Sequence, residues 1–325
     1  MASLAEIKAK LLEQSTKATG TKTGSGSGDN ASFPFWNIPD NSSATIRFLP
    51  DADQSNTFFW VERQIIKLPF QGVVGRDNTP VEVQVPCVDM FDPNTCPITA
   101  HIRPWWKDES KKDLARVYYK KKSFLFQGFV VASPIEEESV PENPIRRFVI
   151  NPSIYEIIKN SLMDPEFEDM PTDYVGGRDF KLTKTKKGEY ANYGTSAWSF
   201  KTRALSQENH DAIATHGLYD LKSFLGARPD RDGIEMIKAM FEDSLAGRPF
   251  DSASFGAMYR PNGTRGGASG ASSSPSVQVP SNFNQHTNAA PAYVAPVDAQ
   301  TNGGAKPNAQ DILARIKQRT LNGDQ

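Results

Sequence analysis

Hydrophobic and polar residues alternate along several short segments, as in strands that bury one face and expose the other. In "ATIRFLP", Ile46 and Phe48 share one side of such a strand. In "SFLFQGFVV", Phe124 and Phe126 share a side and are expected to be core residues. Two further alternating segments are "VEVQV" (81–85) and "RRFVI" (146–150). The first half of the chain is therefore predicted to contain short strands.

A hairpin-like pattern follows in "DFKLTKTKKGEYANYGTSAWSFKTRA" (179–204). Phe180 and Leu182 fall on one face of its first arm, and lysines fall on the other. Trp198 and Phe200 alternate in the same way on the second arm, so both are expected to face the core.

Helical patterns come mainly after the strands. "NPSIYEIIKNSLM" has Asn151 as an N-cap and Pro152 at the first helical position, with an apolar stripe behind them. Two further helices are predicted at 206–226 and 232–246. Asp232 is expected to cap the second of these, and Gly247 to end it.

The two ends of the chain differ from its centre. Residues 3–17 place Leu4, Ile7 and Leu11 on one face of an amphipathic helix, and a Gly-, Ser- and Thr-rich stretch follows. After about Phe255 the sequence is low in complexity and nearly uncharged, which is typical of disorder. A short apolar face returns in "AQDILARIKQRTLNGDQ" at the C-terminus.

Short strands followed by helices favour an α+β fold, and we expect an OB-fold-like five-stranded barrel core with added helices. A flexible N-terminal helical arm and a disordered C-terminal tail are expected to flank this core. The predicted division is an amphipathic arm at 1–20, a flexible linker at 21–32, the core at 33–255, a disordered linker at 256–308 and a docking segment at 309–325.

Composition limits the compartment and the class of protein. No apolar run approaches the roughly 20 residues needed to cross a bilayer, and the N-terminus lacks an apolar segment followed by a small-residue cleavage site. Two cysteines are too few for a disulfide scaffold. We therefore expect a soluble cytoplasmic protein with no membrane partner.

The net charge of −1 conceals strongly charged segments. Residues 103–123 contain eight basic and three acidic residues, and residues 178–203 contain seven and two. Acidic residues predominate between the two segments. Because patches rather than averages bind phosphates, this pattern predicts a polyanionic partner.

Aromatic residues lie inside or beside both basic segments, which is the combination that single-stranded nucleic acid requires. Lys and Arg attract its phosphates, and its unstacked bases stack on rings for about 1–3 kcal/mol each. The candidate DNA-binding residues are Arg47, Trp105, Trp106, Tyr118, Tyr119, Lys120, Lys121, Lys122, Lys181, Lys184, Lys186, Lys187, Tyr190, Tyr193, Lys201 and Arg203. A run of lysines also occurs on solvated strand edges, and that interpretation of Lys120, Lys121 and Lys122 stays open.

Four motifs occur in a characteristic order. They are "ATIRFLP", a Cys87…Cys96-Pro97 knuckle, "KKKS" leading into "FVVASP", and a lysine-rich strand ending in "GEYANYG". In this order and spacing, over about residues 1–250, the chain resembles the replication single-stranded DNA-binding proteins of T-even-type tailed phages.

The resemblance implies an OB-fold that binds single-stranded DNA cooperatively and without sequence preference, during phage replication, recombination and repair in the host cytoplasm. It implies that Tyr190 and Tyr193 stack on bases and that the run 120–122 lies along the DNA groove. It also implies that the N-terminal arm contacts a neighbouring copy of the protein.

The chain departs from the family's zinc site. The family holds zinc with one His and three Cys, whereas only Cys87 and Cys96 remain here and the first histidine is His101. Because structural zinc normally takes four ligands, we predict a metal-free knuckle and no cofactor.

The C-terminal tail departs as well. Residues 262–325 carry only three acidic residues in place of the family's strongly acidic tail. Autoinhibition by an acidic tail is therefore not expected. We predict instead that the amphipathic segment 309–325 recruits phage replication proteins.

The sequence contains no phosphate-binding loop, zinc-protease motif or nucleophile elbow, so no enzymatic activity is expected. Two other functions stay open. One is RNA binding, as a translational repressor that uses the same groove. The other is a structural virion protein whose basic face neutralises packaged DNA.

Overall fold

The computed structural model describes residues 4–8, 31–74, 80–137, 140–259 and 261. These residues form two compact units. The first unit contains the residues up to 63 together with 122–227, and the second contains 64–121 together with the residues from 228 to 261. The core that the sequence predicts as one domain over 33–255 therefore comprises two units.

The described ranges contain eight strands and seven helices, which is a mixed α+β fold. The strands are β1 (Ser42–Leu49), β2 (Trp60–Val74), β3 (Pro80–Pro86), β4 (Lys121–Ala132), β5 (Ile145–Ile150), β6 (Arg178–Lys187), β7 (Tyr190–Asn192) and β8 (Ala197–Thr202). The helices are α1 (4–8), α2 (Pro97–Ile102), α3 (Lys112–Tyr118), α4 (Pro152–Met163), α5 (Gln207–His216), α6 (Arg231–Leu245) and α7 (Ser252–Phe255).

β1 is the central strand of the first unit. It pairs antiparallel with β4 on one side and with β6 on the other, so that Ile46 lies opposite Val130 and also opposite Phe180. β5 pairs with β4, while β7 and β8 both pair with β6. The alternation in "ATIRFLP", "SFLFQGFVV" and "RRFVI" is thus confirmed as strand structure, and the lysine-rich β6 lies directly beside the central strand.

Aromatic rings fill the core of the first unit. The ring centroid of Phe48 lies 4.8 Å from that of Phe126 and 5.9 Å from that of Trp198. Phe124 stacks on Tyr155 of α4 with 3.5 Å between centroids. The prediction that Phe124 and Phe126 are core residues is confirmed, since both are buried.

The cap of α4 is the predicted one. The side-chain oxygen of Asn151 accepts a hydrogen bond from the backbone N–H of Ile154 at 2.9 Å, and Pro152 occupies the first turn. Ile158 and Leu162 continue the apolar face into the core. Local capping chemistry and the apolar stripe together account for this helix.

The N-terminal helix α1 packs against its own unit. Leu4 and Ile7 are buried in the aromatic core, and Lys8 Nζ donates hydrogen bonds to the carbonyl oxygens of Asp164 at 2.8 Å and Phe167 at 3.1 Å. The start of the amphipathic arm is therefore helical as predicted, but its apolar residues are buried within the chain. The rest of the arm and the linker up to residue 30 lie outside the described residues, as does everything after 261.

The second unit is built on the pairing of β2 with β3, in which Leu68 lies opposite Val83. Helices α2, α3 and α6 supply the remaining buried side chains, among them Ile98, Leu114 and Phe241. The prediction of a strand at 81–85 is confirmed.

The expected five-stranded barrel is not confirmed, because the described ranges contain eight strands. One strand that the sequence did not indicate is β2. Its residues do not alternate strictly, and Pro69 lies inside it. The pairing with β3 shifts register between Pro69 and Val74, so proline is accommodated at an irregularity of the sheet.

Two local predictions were wrong. Asp230, not Asp232, caps α6, since its carboxylate accepts a hydrogen bond from Gly233 N at 2.8 Å. Trp198 is buried as expected, but the side chain of Phe200 is 98% exposed. Gly247 follows the last turn of α6 with a φ of 69°, as a helix-ending glycine should.

Candidate nucleic-acid interface

The hairpin of β6 and β7 brings together several of the predicted lysines. Lys187 lies opposite Tyr190 across the turn, where Gly188 has a φ of 65° that suits a residue without a side chain. The ring of Tyr190 is 42% exposed, and the Lys187 side chain is exposed as well. A flat ring and a cation thus meet solvent at the tip of one hairpin.

The lysines further along β6 are anchored by the segment before β1. Lys186 Nζ lies 2.7 Å from Asp40 Oδ2, and Lys184 Nζ lies 3.7 Å from Asp40 Oδ1. Lys184 also donates to the carbonyl oxygen of Trp36 at 2.9 Å. The hydrogen bond from Lys186 holds the pKa of the Asp40 carboxyl below its usual range. One carboxylate therefore offsets one of the two positive charges that Lys184 and Lys186 carry.

Three of the predicted cations in the first unit carry exposed charge that is not matched by an acid. Lys181, Lys187 and Lys201 are exposed, and none makes an ion pair within the described part of the chain. These three are the first unit's most available contacts for an added phosphate.

Tyr193 lies beneath the hairpin rather than on its surface. Its side chain is buried, and its ring packs edge-on against Phe35 with 5.9 Å between centroids. Burial and the nearby charge of Asp40 raise the pKa of Tyr193 to about 12. Of the two predicted stacking tyrosines, only Tyr190 presents its ring to solvent.

Arg47 and Arg203 share one carboxylate. Arg47 Nη1 lies 3.0 Å from Asp179 Oδ1, and Arg203 Nε lies 2.8 Å from Asp179 Oδ2. Arg47 also donates to the backbone carbonyl of Arg203. Because its side chain is 1% exposed, Arg47 braces β1 against the end of β8 rather than facing a ligand, whereas Arg203 is partly exposed.

The second unit has two pairs of sequence neighbours with aromatic rings, Trp105–Trp106 and Tyr118–Tyr119. In each pair the first ring is more buried than the second. Trp106 and Tyr119 are both exposed, and their rings meet edge-on at 5.4 Å. Trp105 is half-buried against Phe241. Tyr118 is fully buried, and its pKa is raised to about 12 by that burial. The exposed pair Trp106–Tyr119 is the ring surface that the sequence predicted for this region.

Hydrogen bonds explain why Tyr118 is a core residue. Its hydroxyl lies 3.0 Å from Ser244 Oγ, and Ser244 Oγ donates to the carbonyl oxygen of Pro69 at 2.6 Å. Since the single proton of Ser244 is used in this way, the Tyr118 hydroxyl is the donor in the first bond. Tyr118 thereby links α3, α6 and β2.

The three successive lysines have three different partners. Lys120 Nζ lies 3.6 Å from Asp89 Oδ2, and Lys122 Nζ lies 2.8 Å from Glu62 Oε1. Lys121 Nζ donates to the carbonyl oxygen of Arg116 at 3.0 Å, and burial lowers its pKa. Lys122 is the most exposed of the three, with 45% of its side chain in solvent, so the run is not a uniform basic stripe.

Lys107 and Arg63 were not among the predicted site residues, and neither has an acidic partner among the described residues. Lys107 is exposed next to Trp106, between the predicted residues of the same segment. Arg63 on β2 is half-buried, and its Nη1 atom is buried without a hydrogen-bond partner. Burial lowers the pKa of Arg63 to about 10, so it is still cationic at neutral pH. The sequence around Arg63 does not identify it as a site residue. Only its burial in the folded protein distinguishes it from other arginines on strands.

The knuckle lacks a complete set of zinc ligands among the described residues. Cys87 and Cys96 are buried free thiols, and Cys87 Sγ lies 3.7 Å from Thr99 Oγ1. A hydrogen bond with Cys96 and burial raise the pKa of Cys87. His101 packs its ring on Trp105. Among the described residues, no three His, Cys, Asp or Glu side chains group so that they could bind a metal ion, and this donor set does not fit tetrahedral zinc.

Comparison with known proteins adds a family assignment. A family described as "gp32 DNA binding protein like" matches residues 40–242, which include all of the predicted site residues from Arg47 to Arg203. A search of curated proteins gives no match. Within the described ranges, no helix is long and apolar enough to cross a membrane.

Proposed function

Because the chain belongs to the gp32-like family of DNA-binding, non-enzymatic proteins, we propose that it binds single-stranded DNA without sequence preference, through exposed rings and unmatched cations. The observation that carries this proposal is the Tyr190 hairpin, where an exposed ring lies beside the unpaired Lys187. A ring offers stacking only to a base that is not already stacked in a duplex, so this pairing favours single strands.

The first unit binds through the face of β6 and its hairpin. Lys181, Lys187 and Lys201 contact phosphates directly. Lys184 and Lys186 contact phosphates only after their ion pairs with Asp40 have broken. Arg63 is not counted among these contacts, because its Nη1 atom is buried and a phosphate of bound DNA cannot reach it.

The second unit offers a second face around Trp106 and Tyr119. The edge-on pair presents one π surface from each ring, and Lys107 lies beside it. Lys120 contacts a phosphate when its ion pair with Asp89 breaks. Tyr118, Tyr193 and Arg47 support the exposed residues from below and do not contact DNA.

Binding of this kind destabilises duplex DNA. A protein that binds separated strands but not the duplex shifts the melting equilibrium by mass action. The protein would thereby coat and protect template DNA in phage replication, recombination and repair in the host cytoplasm. The antiparallel strands around β1 support an OB-fold assignment for the first unit.

Partner contacts complete the proposal. The arm 1–20 contacts a neighbouring copy when the protein coats DNA, and the segment 309–325 recruits replication proteins. Deletion of residues 308–325 should abolish a replication-protein contact without changing the affinity for DNA. Full retention of every such contact would remove this part of the proposal.

Thermal melting of AT-rich duplex DNA in the presence of stoichiometric protein tests the function. We expect the protein to lower the melting temperature, because it traps the separated strands. A rise in melting temperature would favour a DNA-neutralising virion protein. Stronger competition by poly-U than by poly-dT would favour the RNA-binding alternative.

A further inference from the structure

Phe200 is exposed because β8 bulges at this residue. Arg178 of β6 lies opposite Thr202, and Phe180 lies opposite Trp198. The three residues Ser199–Lys201 therefore face the single residue Asp179. This bulge breaks the alternation that would have turned Phe200 toward the core beside Trp198, and bulges commonly re-aim side chains at functional sites.

Arg178 holds the bulge in place. Its Nη1 donates to the carbonyl oxygen of Phe200 at 2.8 Å and lies 3.4 Å from that of Ser199. Its Nη2 pairs with Asp169 at 2.7 Å, and its guanidinium lies over the ring of Phe167 at 5.4 Å. The backbone that carries Phe200 is thus fixed before any ligand arrives, which reduces the entropy cost of binding.

The surroundings of Phe200 favour an anionic ligand with flat apolar faces. Lys201 is its neighbour in sequence, and Lys181 lies on the paired strand; both are exposed without an acidic partner in the described ranges. The two nearby acids are already engaged, Asp169 by Arg178 and Asp179 by Arg203. Positive charge is therefore in excess beside the ring.

We propose that Phe200 is a further base-stacking residue, which binds one nucleotide of the same DNA strand beyond those at the Tyr190 hairpin. This inference rests on the proposed function. Lys187 lies six positions after Lys181 on β6, a span of about 20 Å at roughly 3.3 Å per residue. A base at Phe200 is therefore different from a base at Tyr190, and the contact lengthens the stretch of DNA that one molecule covers.

Binding of fluorescently labelled oligo-dT to full-length variants tests the proposal. The oligonucleotides should be just long enough for one protein, within the roughly 4–16 nucleotides that such folds cover. We expect Phe200→Ala to weaken binding on the order of 10-fold, with an unchanged salt slope. Phe200→Leu should be equally weak, because leucine has no π face, and Phe200→Trp should bind as well as the wild type. Val175→Ala, which trims another exposed apolar side chain of the first unit, is the matched control and should have no effect.

Three outcomes would overturn the proposal. Phe200→Ala could bind oligo-dT like the wild type, or Phe200→Leu could retain full affinity, which would indicate a generic apolar contact. Alternatively, Phe200→Ala could change only self-association, measured by light scattering. That result would mean that the ring contacts a second copy of the chain and not DNA. If Tyr190→Ala loses affinity in the same assay, the proposed function stands even though this inference fails; if neither variant loses affinity, both fail.

Discussion

The carboxylate of Asp40 lies 2.7 Å from the ammonium group of Lys186, 146 positions later in the chain. The same carboxylate reaches Lys184 on β6. In the proposed binding mode, this internal anion occupies the place of a DNA phosphate, and DNA would have to displace it. Part of the attraction that the lysine-rich sequence suggests is then already used within the protein.

Replacement of Asp40 by Asn should therefore strengthen DNA binding. The variant keeps the shape of the side chain but removes the negative charge that pairs with Lys186 and Lys184. Because exposed ion pairs are weak, we expect a gain of up to about 5-fold at low salt and a steeper dependence on salt. Titration of oligo-dT at several salt concentrations measures both.

Glu208→Gln provides the control for Asp40→Asn. It removes an equal charge from α5, on an exposed residue of the same unit. If it strengthened binding as much as Asp40→Asn, the gain would come from net charge and not from the released lysines.

The contributions of Lys187 and Tyr190 to DNA affinity should differ in how they depend on salt concentration. Lys187→Ala should lower the slope of log affinity against log salt by about 0.7, the value for one phosphate of a single strand. Tyr190→Ala should cost on the order of 10-fold in affinity and leave the slope unchanged, because stacking releases no counterions. Lys238→Ala, an exposed lysine of α6, is the control for charge alone. A reduced slope in Tyr190→Ala would contradict the separate roles.

The adjacent residues Tyr118 and Tyr119 should behave in opposite ways. Tyr118→Phe removes a buried hydroxyl that donates to Ser244, and we expect the free energy of unfolding to fall by about 1 kcal/mol, with normal DNA binding. Tyr119→Ala should weaken DNA binding with little loss of stability, since its ring is largely in solvent. Urea denaturation and oligo-dT titration of both variants check this, and equal losses of affinity would refute the inside–outside assignment.

Metal chelation should leave the protein unchanged. With Thr99 beside Cys87 and His101 packed on Trp105, the knuckle lacks a tetrahedral ligand set. The thermal midpoint and the affinity for oligo-dT should therefore be the same before and after dialysis against a chelator. A stoichiometric metal in the purified protein, together with a lower midpoint after its removal, would show that the knuckle does bind a metal.

Local patterns were enough to predict some features. The strand containing Ile46 and Phe48 follows from alternation, and α4 follows from Asn151, Pro152 and an apolar stripe. The exposed ring of Tyr190 follows from its place next to a glycine turn among lysines. Each of these three predictions depends only on residues a few positions apart in the sequence.

Other features depend on distant residues and could not be read locally. Arg47 is buried because Asp179, 132 positions away, neutralises it. Phe200 is exposed because its pairing with β6 bulges, which the alternation of β8 alone does not indicate. The ion pair of Lys186 depends on a loop before β1. Charge patterns along the sequence select two basic segments, but only tertiary contacts distinguish exposed cations without an acidic partner from paired ones.

The most direct test of single-strand binding is a titration of the intrinsic tryptophan fluorescence with poly-dT and with matched duplex DNA, at two salt concentrations. Exposed Trp106 should report stacking as quenching. We predict strong quenching by poly-dT that weakens steeply with salt, and weak binding of the duplex. Equal binding of both DNAs without quenching would contradict the account, because it would mean that the rings do not contact bases and that the lysines attract any polyanion.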